Sequence, residues 1–456
     1  MSEMGFEGPP GDDRLRQAAE PALGTDGADE VEVLFGASHT GLTRFAGSQI
    51  IQNTLRDEIR AYVRVAIGDR VATASTNQLD PGHMTQAARD AVEAAEASPP
   101  DPEFPGLARP EDVGSSEQLL RWEDRTALCS PHDRARAVSR ILRVTGAASA
   151  AGIYETSAHA YALFSSTGVS CYDRHTRCVT TCLVEKGDAT GWGEASSHSM
   201  AEVDVEAAAG RALAKAELGA SAEDAKPGTY EVVLEPSAVA TLIEYLSYAG
   251  FGAKQVIDGD SFLAARRGED VASQSVTIAD DVFHPSSVGI GFDFEGVPKR
   301  RVAVIDRGRA TRPVNDLRTA ARLGDELTGH FSGSNELGPY ASNVVLEAGE
   351  QSFDELVGGV DTGLLVTRFH YVNILDRPRT LLTGMTRDGT FRIQGGRVIG
   401  AVRNMRFTEN VLAAFATASG VGNELAAFAP EFGSFGSAAA PALRLGEFHF
   451  TSATSH

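Results

Sequence analysis

A chain of 456 residues, 42% of them hydrophobic, is long enough to bury two separate cores. Its 62 acidic and 41 basic residues give a formal net charge of −21, which disfavours nucleic acids and anionic membrane surfaces as partners. The sequence contains no apolar run long enough to cross a bilayer, and four cysteines in so long a chain do not make a disulfide framework. We therefore expect a soluble, cytoplasmic protein with two domains.

The first residues of the chain are rich in glycine, proline and acidic residues. They lack the basic region and the apolar region that together make a signal peptide. A composition of this kind buries little apolar surface. We predict a disordered acidic tail over residues 1–27.

The next part of the chain alternates hydrophobic with polar residues, which is typical of β-strands. Val31, Val33 and Phe35 follow this period of two, and strand-like runs return at residues 59–67 and 152–197. Helical patterns begin at Asp80-Pro81 and end before Pro99, begin at Ser130-Pro131 and stop at Gly146, and run over residues 202–218. We predict an N-terminal α/β domain over residues 28–226, in which helices cover an antiparallel sheet.

Short strands dominate the rest of the chain, after the turn Lys226-Pro227-Gly228. We predict a β-rich C-terminal domain over residues 227–456. Because the strands come in runs and do not alternate strictly with helices, the expected fold class is α+β.

One predicted helix, over residues 235–250, decides how the function is interpreted. Val239, Leu242, Ile243 and Leu246 recur at helical spacing and predict one buried stripe. The other side presents Glu244 together with threonine and tyrosine residues, so it offers one carboxylate and no imidazole or thiol. Taken alone, this is a half-buried helix that cannot hold a catalytic metal.

A second stretch has a spacing that resembles a zinc signature, with Cys171, His175, Cys178 and Cys182 close together in the sequence. The stretch is rich in β-formers, and in a strand Cys178 and Cys182 would lie about 13 Å apart, too far to share one zinc ion. A tight turn would bring them together. The strand geometry favours cysteines that belong to a sheet.

Polar residues also gather at the end of an apolar strand, where His370, Tyr371 and Asn373 follow residues 363–369. They form either the wall of a cleft or a solvated strand edge. The sequence has no Gly-x-Ser-x-Gly elbow, no phosphate-binding loop and no dinucleotide fingerprint, so a serine hydrolase, an NTPase and a dinucleotide enzyme are not supported.

A set of short motifs, in a fixed order along nearly the whole chain, resembles the TldD/PmbA (TldE) family of bacterial and archaeal metallopeptidases. The motifs are Thr-Arg-Phe-Ala-Gly-Ser-Gln-Ile-Ile-Gln at 43–52, Ala-Ser-Thr-Asn at 74–77, Phe-Asp-Phe-Glu-Gly-Val-Pro-Lys-Arg at 292–300, Thr-Gly at 328–329, Gly-Leu-Leu-Val-Thr at 363–367 and Pro-Ala-Leu at 441–443. The resemblance implies an N-terminal α/β domain, a C-terminal β-rich domain and a heterodimer in which one subunit carries zinc.

In the zinc-bearing subunit of that family, a helix supplies a His-Glu-x-x-x-His motif and a cysteine near the C-terminus supplies the third ligand. The corresponding segment here is residues 243–248, which retains Glu244 and has no histidine, and residues 430–440 contain no cysteine. The resemblance therefore implies a TldE-like subunit with no catalytic residue and no metal of its own.

Three hypotheses follow for the function. In the first, the chain pairs with a TldD-like, zinc-bearing paralogue, and the heterodimer encloses a chamber that this chain helps to close. His370, Tyr371 and Asn373 then bind a peptide or amide substrate. In the second, it is a non-enzymatic binding protein or chaperone-like homodimer. In the third, it is a self-sufficient hydrolase built on His284, His370 or the cysteine cluster.

Overall fold

The computed structural model describes residues 8–113, 119–432 and 435–453, which form an α+β protein with three β-sheets. The fold class expected from the sequence is confirmed. The N-terminal part contains α1 (Asp12–Leu23), β1 (Glu30–Ala46), β2 (Gln49–Ile67), β3 (Arg70–Thr76), α2 (Pro81–Ala97), α3 (Pro110–Val113), α4 (Asp124–Ala127), α5 (Pro131–Thr145), β4 (Ser149–Ser165), β5 (Ser170–Lys186), β6 (Ala189–Ser197) and α6 (Val205–Leu218).

The C-terminal part contains more strands than helices. Its elements are β7 (Gly228–Leu234), α7 (Pro236–Gly250), α8 (Ala253–Ile257), α9 (Phe262–Arg266), β8 (Ile278–Asp280), β9 (Val302–Asp306), β10 (Arg309–Ala310), α10 (Leu317–Leu323), β11 (Asn343–Leu346), α11 (Phe353–Gly358), β12 (Thr362–Asp376), β13 (Leu381–Gln394), β14 (Arg397–Ala401), β15 (Met405–Asn410), α12 (Val411–Ala416), β16 (Ala418–Val421), β17 (Ala426–Phe428), β18 (Ser437–Ala440) and β19 (Leu443–Ala453). None of the described helices has both the length and the apolar composition needed to span a bilayer.

The N-terminal sheet has the strand order β3-β2-β1-β4-β5-β6, and every neighbouring pair is antiparallel. One face packs against α1 and α2, and further along against α5 and α6, with two hydrophobic cores between sheet and helices. Asp80 and Ser130 cap α2 and α5 through side-chain hydrogen bonds, each ahead of a proline at the first helical position. The opposite face of the sheet is free to line a cavity.

The predicted disordered tail is wrong for the part that the structure describes. Residues 12–23 form α1, and its Leu15, Ala19 and Ala22 are fully buried against the sheet core. These three residues have the spacing of one helical face, so a few apolar side chains order a segment of otherwise polar composition. Residues 1–7 lie outside the described part of the chain.

The two C-terminal sheets have the orders β10-β9-β8-β11-β18-β17 and β12-β7-β19-β15-β13-β14. In the second sheet β12 also pairs with β13, so the five strands β12, β7, β19, β15 and β13 close into a ring. A single hydrophobic core joins the two sheets with α7.

Helix α7 differs from the half-buried helix that its sequence predicts. It contacts strands of both C-terminal sheets, so its polar side is buried as well as its apolar stripe. Only 6% of Glu244 is exposed, the Tyr245 hydroxyl donates to the Val372 carbonyl at 2.7 Å, and the Ser247 hydroxyl donates to the Ala341 carbonyl at 2.6 Å. Hydrogen bonds to distant strands make this burial tolerable for the polar groups.

Candidate functional site

A cavity of about 1300 Å³ lies on the face of the N-terminal sheet opposite α1, α2, α5 and α6. The antiparallel register places Arg56, Thr40, Ser157 and Arg177 in one row across β2, β1, β4 and β5. All four side chains line the cavity. Side chains alternate along a strand, and Glu155 and His159, two positions to either side of Ser157 in β4, line the same cavity.

The neighbouring row brings two imidazoles together, and the first of them, His159, lines the cavity. The rings of His159 and His175 stack with their centroids 4.9 Å apart, and Tyr161 lies 6.3 Å beyond His175. Burial lowers the pKa of His159 to about 3 and that of His175 well below its usual value, with the positive charge of Arg177 acting in the same direction. Both imidazoles are therefore neutral near pH 7 and can accept as well as donate hydrogen bonds.

The opposite wall comes from loops of the C-terminal part. Phe294 lies 5.9 Å from the Tyr161 ring and 5.2 Å from Phe435, measured between ring centroids. Ala429 and Pro430 line the same cavity. The site is therefore a polar sheet face closed by an apolar loop wall.

Arg177, on strand β5 of the sheet, is a buried cation with 6% of its surface exposed. Its Nη2 donates to the carbonyl of Gly436, and its Nε has no hydrogen-bond partner among the described residues. The ion pairs found in the described ranges do not include Arg177. Glu155, in the adjacent strand, lines the same cavity, and burial raises the pKa of its carboxyl against the pull of Arg177.

Glu244 joins α7 to the loop that follows β17. Its carboxyl Oε1 accepts a hydrogen bond of 2.9 Å from the backbone N–H of Glu431. Burial raises the pKa of this carboxyl to about 8, although the hydrogen bond from Glu431 opposes the shift. Glu244 is thus biased towards its protonated form near neutral pH.

The family resemblance raises the question whether zinc could bind beside Glu244. It matches α7 and residues 430–440 to the two segments that hold zinc in the zinc-bearing subunit. The described residues of these segments offer the carboxyls of Glu244 and Glu431 and the rings of Tyr245, Tyr248 and Phe432, with the centroids of Tyr245 and Phe432 4.9 Å apart. A carboxyl biased towards its protonated form, beside phenol and phenyl rings, is a poor donor set for zinc, which prefers imidazole and thiolate. These residues do not fit a zinc ion.

The family motif at residues 292–300 forms a buried turn between the two parts of the chain. The Asp293 carboxylate accepts from the backbone N–H groups of Glu295, Val297 and Phe331, each at 2.9 Å. Burial nevertheless raises the pKa of Asp293 to about 7. The motif thus has a structural role here, because it holds the loop that carries Phe294 into the cavity wall.

The three cysteines of the zinc-like spacing lie in β5, as the strand geometry predicted. Cys178 and Cys182 face the core under α5 and α6, whereas Cys171 faces the C-terminal loops, where its thiol lies 3.3 Å from the Gly296 carbonyl. Burial raises the pKa of all three thiols to about 12. The described residues contain no group of three or more histidine, cysteine or acidic side chains placed to hold a metal ion.

The predicted substrate-binding residues lie on β12, away from the residues that line the large cavity. Tyr371 is 72% exposed with a φ of 50°, at a bulge between His370 and Asn373. The His370 and Tyr371 rings are 4.3 Å apart, and the Asn373 amide donates to the Tyr371 carbonyl at 3.1 Å. Asn373 lines a smaller cavity of about 590 Å³. Whether these residues bind substrate stays a prediction.

Sequence reasoning missed the residues that line the large cavity. A signal was present, since Glu155, Ser157, His159 and Tyr161 occupy alternate positions of one strand, and Arg177 continues the pattern in the next. Polar side chains on one face of a strand that is apolar on the other indicate a polar cavity or a solvated sheet. His284, the other candidate histidine, lies in the loop after β8, where its Nδ1 accepts from the Ser286 N–H at 3.2 Å.

Two models of one family match the chain: the PmbA/TldA metallopeptidase C-terminal domain over residues 227–452, and domain 1 of the same family over residues 31–98. The chain therefore belongs to the PmbA/TldD family of metallopeptidase-related proteins.

The curated relatives and solved structures agree with this assignment. A metalloprotease from Methanothermobacter thermautotrophicus is 30% identical over 203 residues, which cover 43% of each chain. A metalloprotease TldD homolog from Buchnera aphidicola is 24% identical over 50% of this chain and 47% of its own. The chain thus spans less than half the length of these relatives.

Among solved structures, TldE from Thermococcus kodakarensis superimposes with a TM-score of 0.86 and 20% identity, over 96% of this chain and 100% of that chain. A putative modulator of DNA gyrase from Thermotoga maritima gives a TM-score of 0.82 and 18% identity, over 96% and 99%. At these identities the likeness shows the fold alone.

Proposed function

We propose that this chain is the metal-free, TldE-like subunit of a heterodimeric zinc peptidase. The observation that carries the proposal is the contact between Glu244 and Glu431, which brings together the two segments that hold zinc in the metal-bearing subunit. In this chain they meet through a carboxyl group and aromatic rings. The hydrolytic chemistry therefore comes from a zinc-bearing paralogue, where the metal activates water.

The large cavity supports a role in binding an extended peptide. Strand β3 pairs only with residues 61–67 of β2, so residues 49–60 have no further strand on that side among the described residues. Arg56 and Arg60 of this free edge line the cavity. A free edge offers backbone hydrogen bonds to an extended chain, and the side chains of the cavity select among peptides. His370, Tyr371 and Asn373 are proposed as a second contact region.

A binding protein or chaperone-like homodimer is the alternative, and one observation favours it. Ile50, Ile51 and Leu55 of the free edge are 41%, 57% and 51% exposed, which is unusual for such side chains in one strand. A patch of this kind suits a protein interface. A second copy of the chain could cover it as well as a paralogue could.

Co-expression with a zinc-motif paralogue separates the two. The proposal expects a stable one-to-one complex that hydrolyses an unfolded peptide, while either chain alone is inactive. As a control, alanine replaces both histidines of the paralogue's motif, and activity should disappear although the complex still forms. A homodimer of this chain that ignores the paralogue would support the alternative and contradict the proposal.

A further inference from the structure

Arg177 has a charge that the surrounding protein does not neutralise. The described residues place no carboxylate within ion-pair distance of its guanidinium, and its hydrogen bond goes to the uncharged carbonyl of Gly436. An arginine keeps its proton at neutral pH even though burial lowers its pKa. A buried cation without a counterion destabilises a folded protein, so such an arrangement usually serves a purpose.

The nearest carboxyl groups, those of Glu155 and Glu244, do not form an ion pair with Arg177. Glu155 and Glu244 both interact electrostatically with Arg177, but burial raises the pKa of each carboxyl, to about 8 for Glu244. Both groups are thereby biased towards their neutral forms. The imidazoles of His159 and His175 are neutral as well, and the stack they form leaves the Nδ1 of His175 without a partner among the described residues. Because no described carboxylate lies within ion-pair distance of the Arg177 guanidinium, this part of the cavity holds a cation without a direct counterion.

The position of Arg177 suits a ligand that enters through the cavity. The side chain lines the large cavity, and the hydroxyls of Thr40 and Ser157 lie in the same row across the sheet. A carboxylate can accept two parallel hydrogen bonds from one guanidinium, and neighbouring hydroxyls can donate to its remaining lone pairs.

We propose that Arg177 anchors a carboxylate of the bound peptide. The inference rests on the proposed peptide-binding role and adds a substrate feature to it. The carboxylate comes either from the C-terminus of the peptide or from an aspartate or glutamate side chain, and the same chemistry serves both.

Isothermal titration of the full-length chain with short acetylated peptides tests the proposal. The probe is acetyl-Ala-Phe-Ala-Ala-Phe-Ala as the free acid and as the C-terminal amide, together with two amides in which a central alanine becomes Glu or Gln. We expect an acidic form to bind about tenfold or more tightly than its neutral counterpart, as a charge-assisted bond predicts. The free acid against the amide reports a terminal anchor, and Glu against Gln reports a side-chain anchor.

Three variants make the test specific. Arg177→Met should abolish the preference for the acidic form, and Arg177→Lys should keep part of it. Arg140→Met is the matched control, because Arg140 pairs with Glu206 on the exposed surface of the helices, and the preference should survive there. The Arg177→Met chain should be as stable as the wild type or more so, because an uncompensated charge is removed.

Two results would overturn the inference. If the peptide binds equally well in its acidic and neutral forms, Arg177 is no carboxylate anchor, while the proposed peptide-binding role stands. If Arg177→Met lowers the melting temperature and leaves the preference unchanged, the arginine has only the structural task of holding Gly436. Failure of every peptide to bind would contradict the peptide-binding role itself and the anchor with it.

Discussion

The backbone N–H of Glu431 donates to the carboxyl of Glu244 across 187 positions of the sequence. This bond fixes the loop after β17 against helix α7. A carboxyl oxygen can accept this bond in either protonation state, but the bond is stronger to the ionised form and therefore opposes the rise in the pKa of Glu244.

Replacing Glu244 by glutamine should stabilise the protein at alkaline pH. The unfolded carboxyl has a pKa near 4.5, whereas burial raises the folded value to about 8. The folded state therefore binds more protons over this interval, and wild-type stability is lost as pH rises from about 4.5 to about 8, by up to about 5 kcal/mol. The advantage of Glu244→Gln in urea unfolding should grow from pH 5 to pH 8.

Glu206→Gln is the matched control for this experiment. Hydrogen bonding to Arg140 lowers the pKa of the Glu206 carboxyl, so its contribution is present above the unfolded pKa and lost only in acid. The effect of Glu206→Gln should be constant between pH 5 and pH 8. An equally constant effect of Glu244→Gln would mean that Glu244 is ionised in the folded protein. In the assembled peptidase, Glu244→Gln should keep a kcat/KM close to that of the wild type.

Glycine at position 193 should be essential for the packing of α6 on the sheet. A Cβ at Gly193 would lie 1.9 Å from the carbonyl oxygen of Ala208, which belongs to the backbone of the helix and cannot swing aside. Gly193→Ala should therefore cost about 1–3 kcal/mol in urea unfolding. Gly210 lies in α6 itself and has open space around it. Gly210→Ala should therefore stabilise the folded protein by up to about 1 kcal/mol. Similar effects of the two substitutions would show that α6 does not pack this closely.

Serine in place of Cys178 or Cys182 should lower stability without lowering activity. Both thiols are fully buried in an apolar core, where an unpaired hydroxyl at position 182 costs about 1–3 kcal/mol. At position 178 the hydroxyl has Tyr154 as a hydrogen-bond partner, so the cost there should be smaller. Alanine should be tolerated better, since it carries no polar group. The check is kcat/KM of the folded complex with the zinc-bearing paralogue. Loss of activity in the alanine variants, with assembly intact, would show that this strand takes part in the chemistry.

Alanine at His370 should weaken turnover if β12 faces the substrate chamber. The imidazole lies beside Tyr371 at a strand bulge next to Asn373, so its loss removes one substrate contact. We expect kcat/KM of the complex to fall about tenfold, or about 1.4 kcal/mol. His83→Ala, on the exposed first turn of α2, serves as the control. Equal rates for the two variants would remove His370 from the substrate site.

Much of the fold was predictable because its signals are local. The alternation of Val31, Val33 and Phe35 reports one covered sheet face, and Asp80 and Ser130 mark helix starts that the structure confirms. Helix α1 departs from the predicted disorder because three apolar residues at helical spacing order a segment of otherwise polar composition.

The site was less predictable because long-range contacts create it. Nothing near Glu244 in the sequence shows that a loop 187 residues away covers it and shifts its pKa. Likewise, the position of Arg177 in the cavity depends on the strand register that aligns it with Ser157, and its burial depends on a distant loop that contacts it through Gly436. The polar alternation along β4 was visible, but the wall opposite it was not.

The central claim is that zinc belongs to the partner and not to this chain. Native mass spectrometry of the co-expressed complex, followed by release of its subunits and metal analysis of each, tests it most directly. We predict about one zinc ion in the complex, retained by the paralogue, with the released full-length chain free of bound metal. About one tightly held zinc ion on the chain described here would contradict the account.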